Sequence, residues 1–106
     1  MKKTMLPFAT VLLLLFAGQG HAQDASSRLH DRALAATCAN CHGTDGRTTE
    51  GSAIPSLVGM PKAYMLMQLK AFKDGSRPAT VMHQLTKGFT EDQLDRISTY
   101  FSTTQR

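Results

Sequence analysis

The stretch Cys38-Ala39-Asn40-Cys41-His42 holds the only two cysteines of this 106-residue chain. Two thiols separated by two residues, with an imidazole directly after the second, place three metal-binding or nucleophilic side chains within five residues. The sequence on either side of the stretch must therefore indicate what these three side chains hold.

Helical periodicity surrounds the stretch. Residues 26–42, SSRLHDRALAATCANCH, predict one helix that Ser26 or Ser27 caps. Its apolar side carries Leu29, Ala33, Leu34 and Ala36. Residues 43–59 hold four glycines and one proline, which predicts a loop. A loop this long in a small domain usually wraps a ligand or is disordered.

Two more helices are predicted after this loop. Residues 60–75 have apolar side chains at helical spacing, with Pro61 in the first turn and Gly75 as the stop. Residues 77–88 predict a short helix that Gly88 ends.

The last helix, at residues 90–106, has the clearest start signal. Thr90 and Gln93 match a capping box. The predicted buried stripe comprises Leu94, Ile97 and Phe101. The chain is thus predicted to be all-α, with three or four short helices tied by one long loop.

Residues 1–22 have the pattern of a secretory signal peptide that is cleaved after Ala22. Two lysines precede an almost wholly apolar run over residues 5–18. An uncleaved membrane anchor is the alternative, but the run is shorter than the roughly 20 apolar residues of a span and contains Pro7. We therefore expect one periplasmic domain over residues 23–106, with no stable membrane span.

The charge of the chain excludes one class of partner. The full sequence has a net charge of +4, and two of its lysines lie in the predicted signal peptide. No basic run is interleaved with aromatic side chains, so nucleic-acid binding is not expected.

A domain this small buries a small fraction of its surface and often needs a covalent cross-link, a metal or a cofactor for stability.

Four chemistries use two thiols at this spacing. A thioredoxin-like redox pair expects a βαβ pattern, which the helical flanks do not provide. A structural zinc site needs a fourth ligand, either His30 or His83. A disulfide would close a ring too small to constrain the unfolded chain much. We interpret the stretch as a c-type haem site, in which Cys38 and Cys41 bond to one haem c and His42 ligates the iron, because export and helical context agree with that motif.

The sixth position of the iron has several candidates. A thioether raises the reduction potential and suits an electron carrier, whereas an open position suits gas binding or peroxide chemistry. Two of the four methionines after the signal lie inside the second helix, where packing explains them, which leaves Met60 and Met82. His83 is a rival ligand whose alternative interpretation is a surface histidine.

Three stretches resemble class I c-type cytochromes over residues 33–101. AATCANCHGTDG, at 35–46, is similar to the haem-attachment helix and turn of that family. IPSLVGMPKAYMLMQLKAFKDGSRP, at 54–78, resembles the cytochrome c4-like branch. RPATVMHQLTKGFTEDQLDRISTYF, at 77–101, is most similar to the cytochrome subunit of flavocytochrome c sulfide dehydrogenase.

The resemblance implies the class I cytochrome c fold around one covalently attached haem, and it assigns roles to residues. Met82 falls where that branch places its axial methionine, opposite His42. Pro55 matches the proline whose carbonyl holds the proximal imidazole. Arg77 corresponds to an arginine that neutralises a haem propionate, with a solvated helix-end charge as the alternative.

The resemblance also implies a periplasmic electron-transfer protein that is not catalytic alone and accepts electrons from an FAD-containing, sulfide-oxidising flavoprotein. The alternatives are a free cytochrome c4/c553-like carrier to a terminal oxidase or reductase, and a haem enzyme or sensor with an open sixth site. Members of the c4 branch carry two such domains, whereas this sequence has one attachment motif.

Five cations either surround the haem edge and attract acidic partners or form a solubilising face: Lys62, Lys70, Lys73, Arg77 and Lys87.

Overall fold

The computed structural model describes residues 19–105, and all regular secondary structure within that range is helical. Helix α1, Gln19–Ala36, runs from one compact unit that ends at His30 into a second unit, Asp31–Arg106. The described residues of the first unit are exposed wherever their burial is assigned. Residues 1–18, which belong to the predicted signal peptide, lie outside the described residues. None of the described helices is both long and apolar enough to cross a membrane.

The second unit holds the remaining helices. In chain order they are α2 at Ala39–His42, a 3₁₀ turn at Thr44–Gly46, α3 at Lys62–Asp74, α4 at Met82–Lys87 and α5 at Glu91–Thr103. Helix α3 packs against both α4 and α5. The prediction of an all-α fold with a long, mostly irregular loop after the cysteine stretch is confirmed for the described residues.

The ends of α3 and α5 follow the sequence signals. Gly75 ends α3 in the left-handed conformation, and Pro61 stands one residue before this helix rather than inside its first turn. At α5, the Gln93 N–H donates to Thr90 Oγ1 at 3.2 Å, and the Thr90 N–H donates to Gln93 Oε1 at 2.9 Å. The predicted capping box is therefore confirmed.

Helix α1 differs from its prediction at both ends. It begins at Gln19, so neither serine at 26 or 27 caps it. It ends at Ala36, because the N–H and the hydroxyl of Thr37 both donate to Leu34 O, at 3.2 and 2.7 Å. This tightened turn separates α1 from α2, so the predicted single helix over 26–42 is two helices.

The predicted apolar side of α1 is confirmed only at Leu34, which packs against the core. Leu29 is 68 % exposed, and Ala33 and Ala36 are also exposed. The buried residue is Ala35, with Leu34 half-buried beside it. Alanines at consecutive positions give a helix no strong apolar direction, so the sequence pattern did not fix which side faces the core.

A small core joins three helices. Ala35 of α1, Met65 of α3, and Ile97 and Phe101 of α5 form one cluster in which each residue is at most 2 % exposed. The ion pair of Asp31 Oδ1 with Arg96 Nε, at 2.5 Å, supports the same approach of α1 to α5. The predicted buried stripe of α5 is confirmed, since Leu94 is also 1 % exposed.

Gly46 makes the closest approach of the loop to α5. Its φ is +76°, and a Cβ built on it would lie 2.7 Å from Phe101 Cε1. Gly51, in the same loop, has φ +77° but no neighbour within 4 Å of such a Cβ. The two glycines therefore share a backbone conformation and differ in packing.

Gly46→Ala is expected to lower the free energy of unfolding by about 2–5 kcal/mol, because it adds overpacking against Phe101 to left-handed backbone strain. Gly51→Ala is the matched control and is expected to cost only the strain, about 1–2 kcal/mol. Chemical denaturation of both variants measures the difference. Equal losses would contradict tight packing of Gly46 on Phe101.

Candidate functional site

Helix α2 is one turn that presents the two thiols and the imidazole. The His42 N–H donates to Cys38 O at 3.0 Å, and the Gly43 N–H donates to Ala39 O at 2.9 Å. The two cysteines do not form a disulfide with each other; Cys38 is half-buried against the core and Cys41 is exposed. Burial raises the pKa of the Cys38 thiol, and the contact with the Thr37 hydroxyl acts in the opposite direction.

His42 is buried and has a defined tautomer. Its Nδ1 lies 2.7 Å from Pro55 O, which joins two of the predicted site residues across 13 positions of sequence. A carbonyl oxygen can only accept, so Nδ1 carries the proton and donates it. The lone pair of the neutral ring is then on Nε2, which is the atom free to ligate a metal.

Met82 is the first residue of α4 and is half-buried. The hydroxyl of Thr86, which is 1 % exposed, donates to Met82 O at 2.8 Å and supports the start of this helix. Beside it, His83 Nδ1 is buried with no hydrogen-bond partner among the described residues. Met60, the other methionine candidate, packs against the core cluster. Of the two thioethers, Met60 already has a structural role.

The Arg77 side chain has two contacts within the chain. Its guanidinium carbon lies 4.5 Å from the centre of the Phe72 ring, and one N–H donates to Gln68 Oε1. A guanidinium carries five N–H donors, so these contacts leave donors for an anion. The structure thus places the exposed Arg77 guanidinium over an aromatic ring.

The donor set and its apolar surroundings fit a haem. Ile54 precedes Pro55 in sequence, Val81 precedes Met82, and Leu85 follows one turn later. These three apolar side chains are 39–49 % exposed. Two thiols, an imidazole of fixed tautomer and a thioether are the donor types that hold a covalently bound haem, and exposed apolar side chains next in sequence to Pro55 and Met82 suit contact with a flat apolar group. Among residues 19–105, no three side chains of His, Cys, Asp or Glu converge to hold a metal ion by themselves.

A separate cleft of about 550 Å³ lies between the loop and the start of α3. Its walls include Arg47, Ser56, Met60 and Tyr64, but none of the thiols or the His42 ring. The predicted site residues therefore do not line this cleft.

Three of the five predicted docking cations are paired within the chain. Lys62 binds Asp95 at 2.8 Å, and Glu91 accepts from Lys70 and Lys73 at 3.1 and 3.3 Å. Hydrogen bonds from Lys70 and then Lys73 hold the pKa of Glu91 below its usual value. These pairs neutralise much of the positive charge that the sequence suggested for this surface.

The sequence analysis did not predict the contacts that tie the loop to α5. Tyr100 Oη donates to Asp45 Oδ1 at 2.8 Å, and Asp45 itself has φ +52°. Burial and this hydrogen bond raise the pKa of Tyr100. The Asp45-Gly46 dipeptide is a turn signal, but its contact with a tyrosine 55 residues away has no local signature.

The cytochrome c family model matches residues 31–105, which is most of the chain. The chain therefore belongs to the cytochrome c family, whose members carry covalently bound haem c and transfer electrons. This membership and the helical fold confirm the prediction of a class I cytochrome c fold and of covalent haem c.

Individual relatives belong to two branches. The cytochrome subunit of sulfide dehydrogenase of Chlorobaculum tepidum is 44 % identical over 68 residues, which are 64 % of this chain and 60 % of that protein. Cytochrome c4 of Pseudomonas aeruginosa is 34 % identical over 91 residues, which are 86 % of this chain and 45 % of that protein. Both branches match the predicted resemblance.

A solved structure of cytochrome c4 from Acidithiobacillus ferrooxidans superposes with a TM-score of 0.58 and 35 % identity. The match covers 62 % of this chain and 37 % of that one. The chain thus spans less than two thirds of the length of each of these relatives.

The Cys38→Ser/Cys41→Ser variant is expected to lose covalent haem and most of its cooperative unfolding transition, because the core cluster alone buries little apolar surface. Circular dichroism during thermal unfolding, with acid-acetone extraction of haem, measures both effects. Cys41→Ser alone keeps one thiol and is the control, expected to retain covalent haem. A cooperative transition in the haem-free double variant would contradict this dependence.

Proposed function

We propose that this chain is a periplasmic electron-transfer cytochrome with one haem c, ligated by His42 and Met82, that accepts electrons from a sulfide-oxidising flavoprotein. The hydrogen bond from His42 Nδ1 to Pro55 O carries the assignment of the proximal side. Export through a signal peptide over residues 1–22 is part of the proposal.

The proximal side is supported by the geometry of one turn. Cys38 and Cys41 would hold the haem by thioether bonds, and His42, directly after them, would ligate the iron through Nε2. Pro55 accepts from the opposite ring nitrogen, which fixes both the tautomer and the ring plane. A proline at this position keeps its carbonyl and adds no competing N–H.

The distal side is supported by the position and surroundings of Met82. Its backbone is anchored through Thr86 at the start of α4, and apolar neighbours on both sides are half-exposed. Arg77 is proposed to face a propionate with the donors that Gln68 does not use. Met60 is partly buried against the core cluster, whereas Met82 is not among the residues that pack on this cluster in the described part of the chain.

Two protein ligands leave no position for a substrate on the iron. The bound haem supplies one-electron Fe(III)/Fe(II) chemistry, and the chain supplies the ligands, the hydrogen bond on His42 and an apolar shell that tune the potential. The chain alone is then an electron carrier or an electron-accepting subunit rather than a catalyst.

The sulfide dehydrogenase relative supports the identity of the electron donor. At 44 % identity it is the more similar in sequence of the two curated relatives named above, and its name assigns it to a sulfide dehydrogenase. Cytochrome c4 supports a second candidate, a free carrier to a terminal oxidase or reductase, because that relative matches 86 % of this chain.

Met82→Ala is expected to remove the long-wavelength charge-transfer band of thioether-ligated Fe(III) haem and to lower the midpoint potential, because a thioether raises it. Met67→Ala is the matched control, since Met67 is 55 % exposed on α3. Because His83 stands next to Met82, the double variant Met82→Ala/His83→Ala is measured in parallel. An unchanged spectrum and potential in Met82→Ala would exclude Met82 as the ligand.

The identity of the electron donor is tested on untagged protein purified from its own periplasm. An absorption spectrum and a flavin assay are made on the same fraction. Haem with stoichiometric flavin is expected, together with reduction of the haem by sulfide. Haem in a small flavin-free species that sulfide does not reduce would instead support the free carrier.

A further inference from the structure

The carbonyl oxygen of Gly46 is the point at which the long loop closes on itself. It accepts from the Leu57 N–H at 2.8 Å, from the Val58 N–H at 3.3 Å and from Ser56 Oγ at 2.8 Å. The first two are backbone bonds that any residue except proline supplies, whereas the third depends on the side chain.

Gly46 is itself fixed to α5, which makes it a firm anchor. The Phe101 ring lies so near that a Cβ added to Gly46 would clash with it. Asp45, one residue earlier, is held by Tyr100, and the Gly59 N–H donates to Phe101 O at 2.8 Å. The loop is thus attached to α5 at residues 45–46 and again at Gly59.

Ser56 lies directly after the carbonyl that holds His42. The C=O of Pro55 and the N–H of Ser56 belong to one planar peptide unit, so anchoring Ser56 limits how the Pro55 oxygen can rotate. Pro55 is exposed and has no N–H with which to anchor itself. Ser56 therefore supplies an anchor that Pro55 lacks.

We propose that Ser56 is a positioning residue for the iron ligand: by donating to Gly46 O, it holds the Pro55 carbonyl against His42 Nδ1 and so sets how strongly His42 donates to the iron. The proposal rests on ligation by His42 in the proposed function, but not on Met82 or on any electron donor. A stronger hydrogen bond on Nδ1 makes the imidazole a better donor, which favours Fe(III) and lowers the potential.

The test uses the haem-loaded protein without any partner. In Ser56→Ala, solvent exchange of the His42 Nδ1 proton, followed by proton NMR, is expected to accelerate by roughly threefold to tenfold, the range of one net hydrogen bond. The midpoint potential is expected to rise. The isosteric pair Ser56→Thr and Ser56→Val separates the hydroxyl from side-chain shape: Thr should resemble the wild type and Val should resemble Ala.

Ser52→Ala is the matched control from the same loop. Its hydroxyl accepts from the Ile54 N–H at 3.1 Å and does not reach Gly46 O. Both readouts should stay at their wild-type values in this variant.

Two results would overturn the proposal, and they are distinguishable. If exchange and potential in Ser56→Ala and Ser56→Val match those of the wild type or of Ser52→Ala, Ser56 does not position His42. If the wild-type protein lacks a haem-shifted His42 ring proton, ligation by His42 fails, and the role of Ser56 fails with it.

Discussion

The hydrogen bond between His42 Nδ1 and Pro55 O connects the two halves of the candidate site. It links a helical turn, which carries the thiols, to a loop that has little regular structure of its own. A single donor–acceptor contact in a partly buried place is modest in energy. Its importance is that it selects one tautomer of His42. The lone pair of the ring is then on Nε2, and this nitrogen can act as a ligand.

This hydrogen bond depends on contacts far from it in sequence. The loop would be free to swing if Gly46 did not lie against Phe101 and if Tyr100 did not bind Asp45. The last helix therefore has two functions: its apolar stripe completes a small core, and its aromatic residues hold the loop. Through the loop, the aromatic residues of α5 help to hold the Pro55 carbonyl beside the His42 imidazole.

The sequence predicted local features better than tertiary ones. The capping box at Thr90, the stop at Gly75 and the stripe through Phe101 each depend on residues within one or two helical turns, and all three are present. The buried side of α1 was predicted correctly only at Leu34, because the alanines around Ala35 resemble one another in size and polarity. Ser56 was not predicted as a contact because its acceptor, a backbone carbonyl, has the same chemistry at every position in a sequence.

The same distinction explains the charged surface. A count of lysines suggested an attractive field for acidic partners, but two carboxylates of α5, Asp95 and Glu91, pair with three of these lysines and meet them only in the fold. Exposed ion pairs of this kind add little to the free energy of unfolding. They also weaken the positive electrostatic field that would attract an acidic partner. A redox partner would then find its orientation mainly through short-range contacts, such as those that the half-exposed Val81 and Leu85 offer beside Met82. Contacts of that kind favour a small docking surface beside the proposed ligand Met82, and small surfaces are typical of transient electron-transfer encounters.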